Sequence, residues 1–575
     1  VRVVESDPDG KLILEVVDLS DLERLWKKRW VAVTLKSLSP SVVTVAQAVL
    51  GRLVASKPVS FGMDNALAAG LFQSLGVLRA DSISPALDET EAAPLHDGGC
   101  FPAFPELHVL SSPDLGHAVF HPPTFTLFRV NEWAASVLED CARSVPIGAV
   151  AERHGVSVSE VESLVARISR VVDTRPSVRV ARDVPGMLQK LVLNISNDCN
   201  MRCRYCYADG GSYGGNRALM TLQIARQAVE RVFEHYKNVH TVMFFGGEPT
   251  LNPDAIEVCC KRVLELYHQR AVLQMPRLGM VTNGLILNQR MLDIIRRHEL
   301  LVTVSLDGPA EINDLLRVSC DEKGSFRRIA RNIRRIQEAT SGREPSRVEA
   351  TYTSAHHAAG FSVMDMADYF DREFGIKDCH VVPVTVEPGH RLGCRHRLEN
   401  VDVFREAAVQ LIESWSTENP KQLLSISRCL LTVATRLSVP YLCGAGLTEL
   451  TVSVSGDIYP CYMLFRDEFK MGSVLDSEVF QSRRFDEVQR RFRDSAKSCL
   501  AKCSQCWARG FCRVCYKVPY IENQTIDRIP SYACKMNQAI AESGLLALGR
   551  VRAQPDLWAL LCRNVDAMVG EGYHK

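Results

Sequence analysis

The sequence has almost no net charge: 68 Lys and Arg stand against 67 Asp and Glu, for a formal charge of +1. A chain so balanced offers no field for nucleic acid or an anionic membrane, and neither is expected as a partner. It has no apolar run approaching the roughly 18 uncharged residues of a membrane span. Its first residues, Val1-Arg2-Val3-Val4-Glu5-Ser6-Asp7, have no apolar core of signal-peptide length. No segment repeats. These absences point to the cytoplasm, where thiols stay reduced. Apolar content of 46% and charged content of 23% are those of a globular protein, and 575 residues are too many for one core, so three or four domains are expected.

What the chain does have is cysteine. There are twenty, five of them packed between Cys499 and Cys515. In a reducing compartment that density points to metal before disulfides.

The chain divides by composition. Residues 1–105 read as a segment of unassigned role, with a strand from Leu12 and a helix over 42–54, ending in a Pro-, Gly- and acid-rich linker over 81–105. Residues 106–180 read as two strands and three helices, a winged-helix-like plan. Asn131 is placed to cap the first helix, and Ser157-x-x-Glu160 is a capping box for the third. From 187 to 400, strands at 191–195, 241–245, 278–282, 301–306, 348–353 and 380–384 alternate with amphipathic helices. That predicts an α/β unit with a parallel sheet, a partial (β/α)6 barrel. A helical connector over 401–440, a cysteine-rich region over 441–540 and a helical tail over 541–575 follow.

The first strand of the α/β unit runs into Cys199-Asn200-Met201-Arg202-Cys203-Arg204-Tyr205-Cys206. Three thiolates at C-x3-C-x2-C spacing close three corners of a four-iron cube and leave one iron open, as in catalytic metal sites. The later strands end in Gly246-Gly247-Glu248-Pro249, in Thr282-Asn283-Gly284 and in Ser305-Leu306-Asp307-Gly308. Polar groups at successive strand ends on one face of a barrel are more than packing requires.

With C-x3-C-x-Y-C, G-G-E-P and S-L-D-G together, residues 187–390 resemble the radical S-adenosylmethionine (SAM) superfamily. The resemblance implies a [4Fe-4S] cluster on Cys199, Cys203 and Cys206, with SAM on its open iron. One electron then cleaves a carbon–sulfur bond, and a 5′-deoxyadenosyl radical abstracts hydrogen from a substrate. By position, Gly246, Gly247 and Glu248 would hold the methionine amino end, and Asn283 and Asp307 would lie at the same SAM site. Ser305 would face the ribose, Tyr205 the adenine, and Arg317 the SAM carboxylate. Asn313 stands where relatives often carry His.

Farther on, Cys443, Gly456-x4-Cys461, Cys503-x2-Cys506-x5-Cys512-x2-Cys515 and Cys534 resemble the SPASM extension of these enzymes, with x2 in place of x3 as the third spacer. The resemblance implies two further [4Fe-4S] clusters, three in all. Cys503, Cys506, Cys512 and Cys534 would hold the outer one, and Cys443, Cys461 and Cys515 the inner one. A remaining inner ligand would be Cys499, Asp467 or a sulfur of the substrate.

SPASM enzymes act on peptides and proteins, and the 106–180 unit resembles the recognition element of ribosomal-peptide maturases. The expected partners are therefore a precursor peptide with a leader sequence and an external low-potential electron donor. The expected reaction is hydrogen abstraction that closes a cross-link, a thioether before a carbon–carbon or carbon–oxygen bond. Formylglycine formation in sulfatases ranks second, because those relatives carry Asp directly after the G-x4-C cysteine and this chain has Tyr462. A cluster protein that only carries electrons ranks third. His356-His357 follow the fifth strand, where a catalytic role is open but a solvated loop pair is the first expectation, and Cys259-Cys260, Cys320 and the other scattered cysteines are expected to be core packing.

Overall fold

The structure, a computed structural model, describes residues 106–173, 178–181, 186–387, 389–394 and 398–570, with three short strands at Arg2–Ser6, Leu12–Glu15 and Val59–Ser60. Those three strands pair antiparallel in one sheet. The helix expected over 42–54 and the linker over 81–105 lie outside the described residues. The chain divides into two compact units, Val1–Gly98 and Gly99–Lys575.

All six expected parallel strands are present: Met187–Ser196, Asn238–Gly246, Arg277–Thr282, Leu301–Ser305, Arg347–Tyr352 and Asp378–Pro383. They lie side by side in chain order, each joined to the next through a helix. Strand period sets their two faces. In the first strand Leu191, Leu193 and Ile195 enter the core shared with Val229 and Val232 of the helix Leu222–His235, while Lys190, Asn194 and Ser196 fall on the other face. Local signals fix the helix starts. Thr221, Asn252 and Asn288 each accept a backbone N–H of the helix that follows, and Pro253 occupies a first-turn position where no N–H is needed.

The sheet does not stop at the first strand. Glu449–Val452 adds to it in parallel, and Asp457–Tyr459 and Gly472–Ser473 add antiparallel. The cysteine-rich region therefore grows out of the edge of the α/β sheet, and its position relative to the first strand is fixed by main-chain bonds.

The 106–173 unit has one strand more than expected: His108–Ser112, Gly116–His121 and Thr126–Val130 form an antiparallel sheet, followed by helices Glu132–Ala142, Ile147–His154 and Val158–Asp173. The caps form as read: Ala134 N–H donates to Asn131 Oδ1 (2.8 Å), and Ser157 N–H to Glu160 Oε2 (2.8 Å). The tail is two helices, Ser531–Arg552 and Pro555–Gly570. The first carries Ala541, Leu545 and Leu546 into a cluster with Phe120, Phe125 and Phe511, so it clamps the small sheet onto the cysteine-rich region. No described helix is long and apolar enough to cross a membrane.

Candidate functional site

The loop Cys199–Cys206 leaves the first strand and is held from both sides. Arg202 N–H donates to Val318 O (2.7 Å) and Arg204 N–H to Leu316 O (2.9 Å). On the other side a Cβ on Gly246 would overlap Ser196 O, and one on Gly247 would overlap Asp198 O. Lacking a Cβ, the two glycines admit the close approach of the backbone that leads into Cys199. Gly246 also needs its positive φ of 138°.

Cys199, Cys203 and Cys206 are free and half-buried, and each of the first two lies close enough to its partners for their charges to raise its pKa. Burial is the larger cause, lifting Cys199 to about 12 and Cys203 to about 11. Asn283 Nδ2 approaches Cys199 Sγ at 3.5 Å and donates to Asn200 Oδ1 at 2.8 Å. Among the described residues no three His, Cys, Asp or Glu side chains close on a single metal ion.

Glu248 is fully buried and engaged. Oε1 accepts Thr250 N–H (3.0 Å), Thr250 Oγ1 (2.7 Å) and Thr282 Oγ1 (2.7 Å), and Oε2 accepts Asn283 N–H (2.7 Å). Burial raises its pKa and these bonds oppose the rise. It ties the second strand end to the third and so positions the site. Tyr205 OH donates to Asp307 Oδ2 (2.5 Å) and accepts from Arg317 Nη1 (2.8 Å). Ser305 pairs directly with Glu349 of the neighbouring strand.

Arg317 is 7% exposed. Its Nε and the Nδ2 of Asn200 are buried donors with no partner among the described residues. Two orphaned donors beside the cysteine loop fit an anionic ligand, as the carboxylate of SAM would be, since leaving them unpaired costs about 1–3 kcal/mol each. Asn313 is structural: its Oδ1 accepts Asp307 N–H (3.3 Å) and its Nδ2 reaches Ser325 Oγ (3.0 Å).

Two expectations are corrected. His356 is buried, not solvated: Nε2 contacts Asp307 O at 2.8 Å while Nδ1 accepts Thr353 N–H at 3.1 Å. Cys320 is exposed, with Sγ 3.5 Å from Cys199 O, and is no core residue. Cys259 and Cys260 are buried as expected.

The later cysteines gather in two groups. Cys515 raises the pKa of Cys443, which burial already lifts to about 12, and Cys515 and Cys443 both act on Cys461. Separately, Cys534 and Cys506 act on Cys503, and Cys506 on Cys534. Cys512 lies beside that second group, its carbonyl accepting Lys497 Nζ (3.1 Å). Cys499 is exposed, and its thiol contacts Ser498 Oγ at 3.9 Å. Asp467 begins a short turn whose carbonyl accepts Arg484 Nη2 (3.1 Å).

The lumen between the first group and the Cys199–Cys206 loop holds residues that the motifs did not reveal. Tyr462, next to Cys461, packs against Phe245 at 4.2 Å and lies 6.5 Å from Tyr207, next to Cys206. The charge of Glu349 reaches both tyrosines. Glu349 sits in the fifth strand opposite His380 of the sixth, with Oε1 3.6 Å from His380 Nδ1 and about 30% of its side chain exposed. A sequence signal existed: Arg347-Val348-Glu349-Ala350-Thr351 alternates polar and apolar in a strand flanked on both sides, which marks a polar interior.

Residues 193–346 match the radical SAM superfamily, and residues 443–507 match the iron–sulfur cluster-binding SPASM domain. The cysteine-type anaerobic sulfatase-maturating enzyme of Clostridium novyi (strain NT) is 26% identical over 362 residues, 60% of this chain and 92% of that protein. The antilisterial bacteriocin subtilosin biosynthesis protein AlbA of Bacillus subtilis (strain 168) is 22% identical over 339 residues, 56% of this chain and 66% of that protein. Among solved structures, native anSMEcpe with bound AdoMet aligns at a TM-score of 0.51 and 19% identity, covering 65% of this chain and 99% of that one, which shows a shared fold.

Proposed function

This chain carries a radical SAM domain and a SPASM domain, working with SAM and [4Fe-4S] clusters, and from that premise we propose that it abstracts hydrogen from a ribosomally made precursor peptide and closes a cross-link in it. Its relatives modify peptides and proteins. The observation that carries the peptide reading is the small sheet. Among the described residues the strand His108–Ser112 pairs on one side only, so its other edge can take a leader peptide as an added strand. That unit is not loosely tethered: His108 stacks on Trp507 at 4.0 Å, and Phe125 packs on Phe511 at 5.7 Å, inside the Cys503–Cys512 segment. A leader bound there would deliver its core segment to the lumen lined by Tyr207, Tyr462 and Glu349.

Cys199, Cys203 and Cys206 would hold the SAM-cleaving cluster, Arg317 and Asn200 would bind SAM, and an external low-potential donor would supply the electron. With three thiols grouped at Cys443, Cys461 and Cys515, a substrate thiolate completing the inner cluster favours a thioether product. Formylglycine formation is the second reading. Glu349 favours it, because it brings to Tyr462 the carboxylate that the residue after Cys461 does not supply.

Mass spectrometry of a candidate precursor co-expressed with the chain tests this. A cross-link removes about two hydrogens and, for a thioether, leaves no alkylatable thiol. Formylglycine from cysteine also loses two hydrogens but in addition exchanges sulfur for oxygen and reacts with hydrazides, and finding it would overturn the first reading.

A further inference from the structure

The helix Phe326–Thr340 carries five arginines, Arg327, Arg328, Arg331, Arg334 and Arg335, against the single acid Glu338. Its apolar face, Ile329, Ile333 and Ile336, is buried in the core. The opposite face walls a surface groove of about 710 Å³, floored by Asp314 and Phe326. In a chain of net charge +1 this is a local concentration of positive charge.

Not all of that charge is spent internally. Arg334 pairs with Glu373 (2.7 Å), and Arg335 donates to Leu287 O (2.6 Å). Arg327 and Arg331 are exposed and have no hydrogen-bond or ion-pair partner among the described residues. Two unpaired guanidiniums four residues apart on one helix face repel each other, which costs the helix a few tenths of a kcal/mol. An acidic partner would reverse that sign.

The groove lies directly behind the cysteine loop. Asp314 Oδ1 accepts Ser325 N–H (2.8 Å) and Phe326 N–H (2.7 Å), which sets the start of the arginine helix. One and two residues on, Leu315 O accepts Arg204 Nε (2.8 Å) and Leu316 O accepts Arg204 N–H (2.9 Å). Arg204 follows Cys203. A single segment of chain, hydrogen-bonded on both sides, therefore separates the groove from a cluster thiolate. Electron tunnelling falls steeply with distance, so a protein donor has to dock where the cover over the cluster is this thin.

We propose that the arginine groove docks the external electron donor, an acidic protein carrying one electron at a time. This rests on the reading that the Cys199–Cys203–Cys206 loop holds the SAM-cleaving cluster. The donor is oxidised by one electron, which passes through the segment 314–317 to the cluster. That electron is consumed in breaking one carbon–sulfur bond of SAM, giving methionine and the 5′-deoxyadenosyl fragment, and no proton moves. Opposite charge across the interface raises the association rate and makes it salt-dependent.

The test needs no precursor peptide. The full-length, cluster-loaded chain is given SAM and either dithionite, a small reductant that requires no docking, or reduced flavodoxin, an acidic one-electron protein. Formation of 5′-deoxyadenosine is followed, and flavodoxin binding to the same chain is measured separately by surface plasmon resonance at low and high salt. The variant Arg327→Glu with Arg331→Glu is expected to lose about tenfold or more of the flavodoxin-driven rate and of the low-salt affinity, with dithionite-driven cleavage and iron content unchanged. Arg143→Glu with Arg483→Glu changes net charge equally at exposed sites elsewhere and is expected to change neither. Flavodoxin binding and flavodoxin-driven cleavage unaffected by the groove reversal would overturn the proposal, as would a groove that serves an acidic peptide and not the donor. Equal losses with both reductants in the groove reversal and in the milder Arg327→Gln with Arg331→Gln would also overturn it. Absence of 5′-deoxyadenosine from the unaltered chain with dithionite would instead refute the SAM-cleaving reading beneath it.

Discussion

Tyr205 and Asp307, 102 residues apart in the chain, are joined by a hydrogen bond of 2.5 Å from the tyrosine hydroxyl to Oδ2. The same hydroxyl accepts from Arg317, so one phenol links the cysteine loop, the fourth strand end and the Arg317 guanidinium. His356 holds the Asp307 backbone from behind. Tyr205, between Cys203 and Cys206, thereby fixes the loop's orientation against the sheet.

Tyr205→Phe removes that link and strands a buried carboxylate oxygen and a buried guanidinium N–H. A loss of about 1–3 kcal/mol in unfolding free energy is expected. Displacement of the loop should also lower 5′-deoxyadenosine formation by about tenfold or more. Denaturant unfolding and product chromatography read the two effects separately. A variant as stable and as active as the parent would show that the bond is incidental.

The cysteine groups lead to an iron count. Cys461 lies close enough to Cys443 and Cys515 to feel their charges, whereas Cys499 is exposed with its thiol 3.9 Å from Ser498 Oγ. Cys461→Ala should lose about four irons per chain, one cubane's worth, while Cys499→Ala should lose none. Iron analysis of the two purified variants decides it, and a loss in Cys499→Ala would make that residue the remaining inner ligand.

Much of this was legible in the sequence because it is written locally. The six parallel strands follow from apolar runs between capped helices, and the cysteine loop follows from spacing alone. The strand His108–Ser112 was missed because it is short and only half apolar, with its pairing set by the turn at Gly116. Glu349, His380 and Tyr462 were missed as a set because they come from two strands and a distant loop. Only sheet register brings them to one lumen. The role of His356 was misread for the same reason: its partner, Asp307 O, is 49 residues away.

His108 gives a pH signature for the docking of the small sheet. Burial lowers its pKa from 6.5 to about 4. A histidine with a depressed folded pKa contributes stability that is full above the unfolded value and is lost as pH falls through the window from 6.5 to about 4. His108→Phe keeps the ring against Trp507 and removes the proton site. The melting temperature of the parent should fall more than that of the variant between pH 7 and 5, when each is compared with itself. Parallel curves would mean that His108 is not buried against Trp507 in solution.

Glu349 is where the two functional readings meet. Removing hydrogen from a peptide carbon leaves a radical that must still lose an electron, and forming a thioether or an aldehyde also releases a proton. Two carboxylates act on Tyr462: Glu449, ion-paired to Lys190 at 2.9 Å, and Glu349, which has no lysine or arginine ion pair of its own among the described residues. Burial pushes the Glu349 pKa up, but His380 at 3.6 Å and the charges of Arg317 and Arg347 outweigh burial and hold it below the usual carboxylate range. The Tyr207 and Tyr462 phenols that face it have their own pKa values raised well above 10 and stay neutral. Glu349 is therefore ionised at neutral pH and ready to accept a proton. Its contribution to stability is full above the unfolded carboxylate value of about 4.3 and is lost as pH falls through its lower folded value. Glu349→Gln keeps the shape and removes the acceptor. Cleavage of SAM should continue, while modified peptide formed per 5′-deoxyadenosine should fall by about a hundredfold, within the range of general-base catalysis. The stability difference between parent and variant should hold from pH 7 to about 4.3 and shrink as pH falls below that value. A variant that turns over peptide with unchanged coupling would remove Glu349 from the chemistry, and the proton would then have to leave to Glu449 or to solvent.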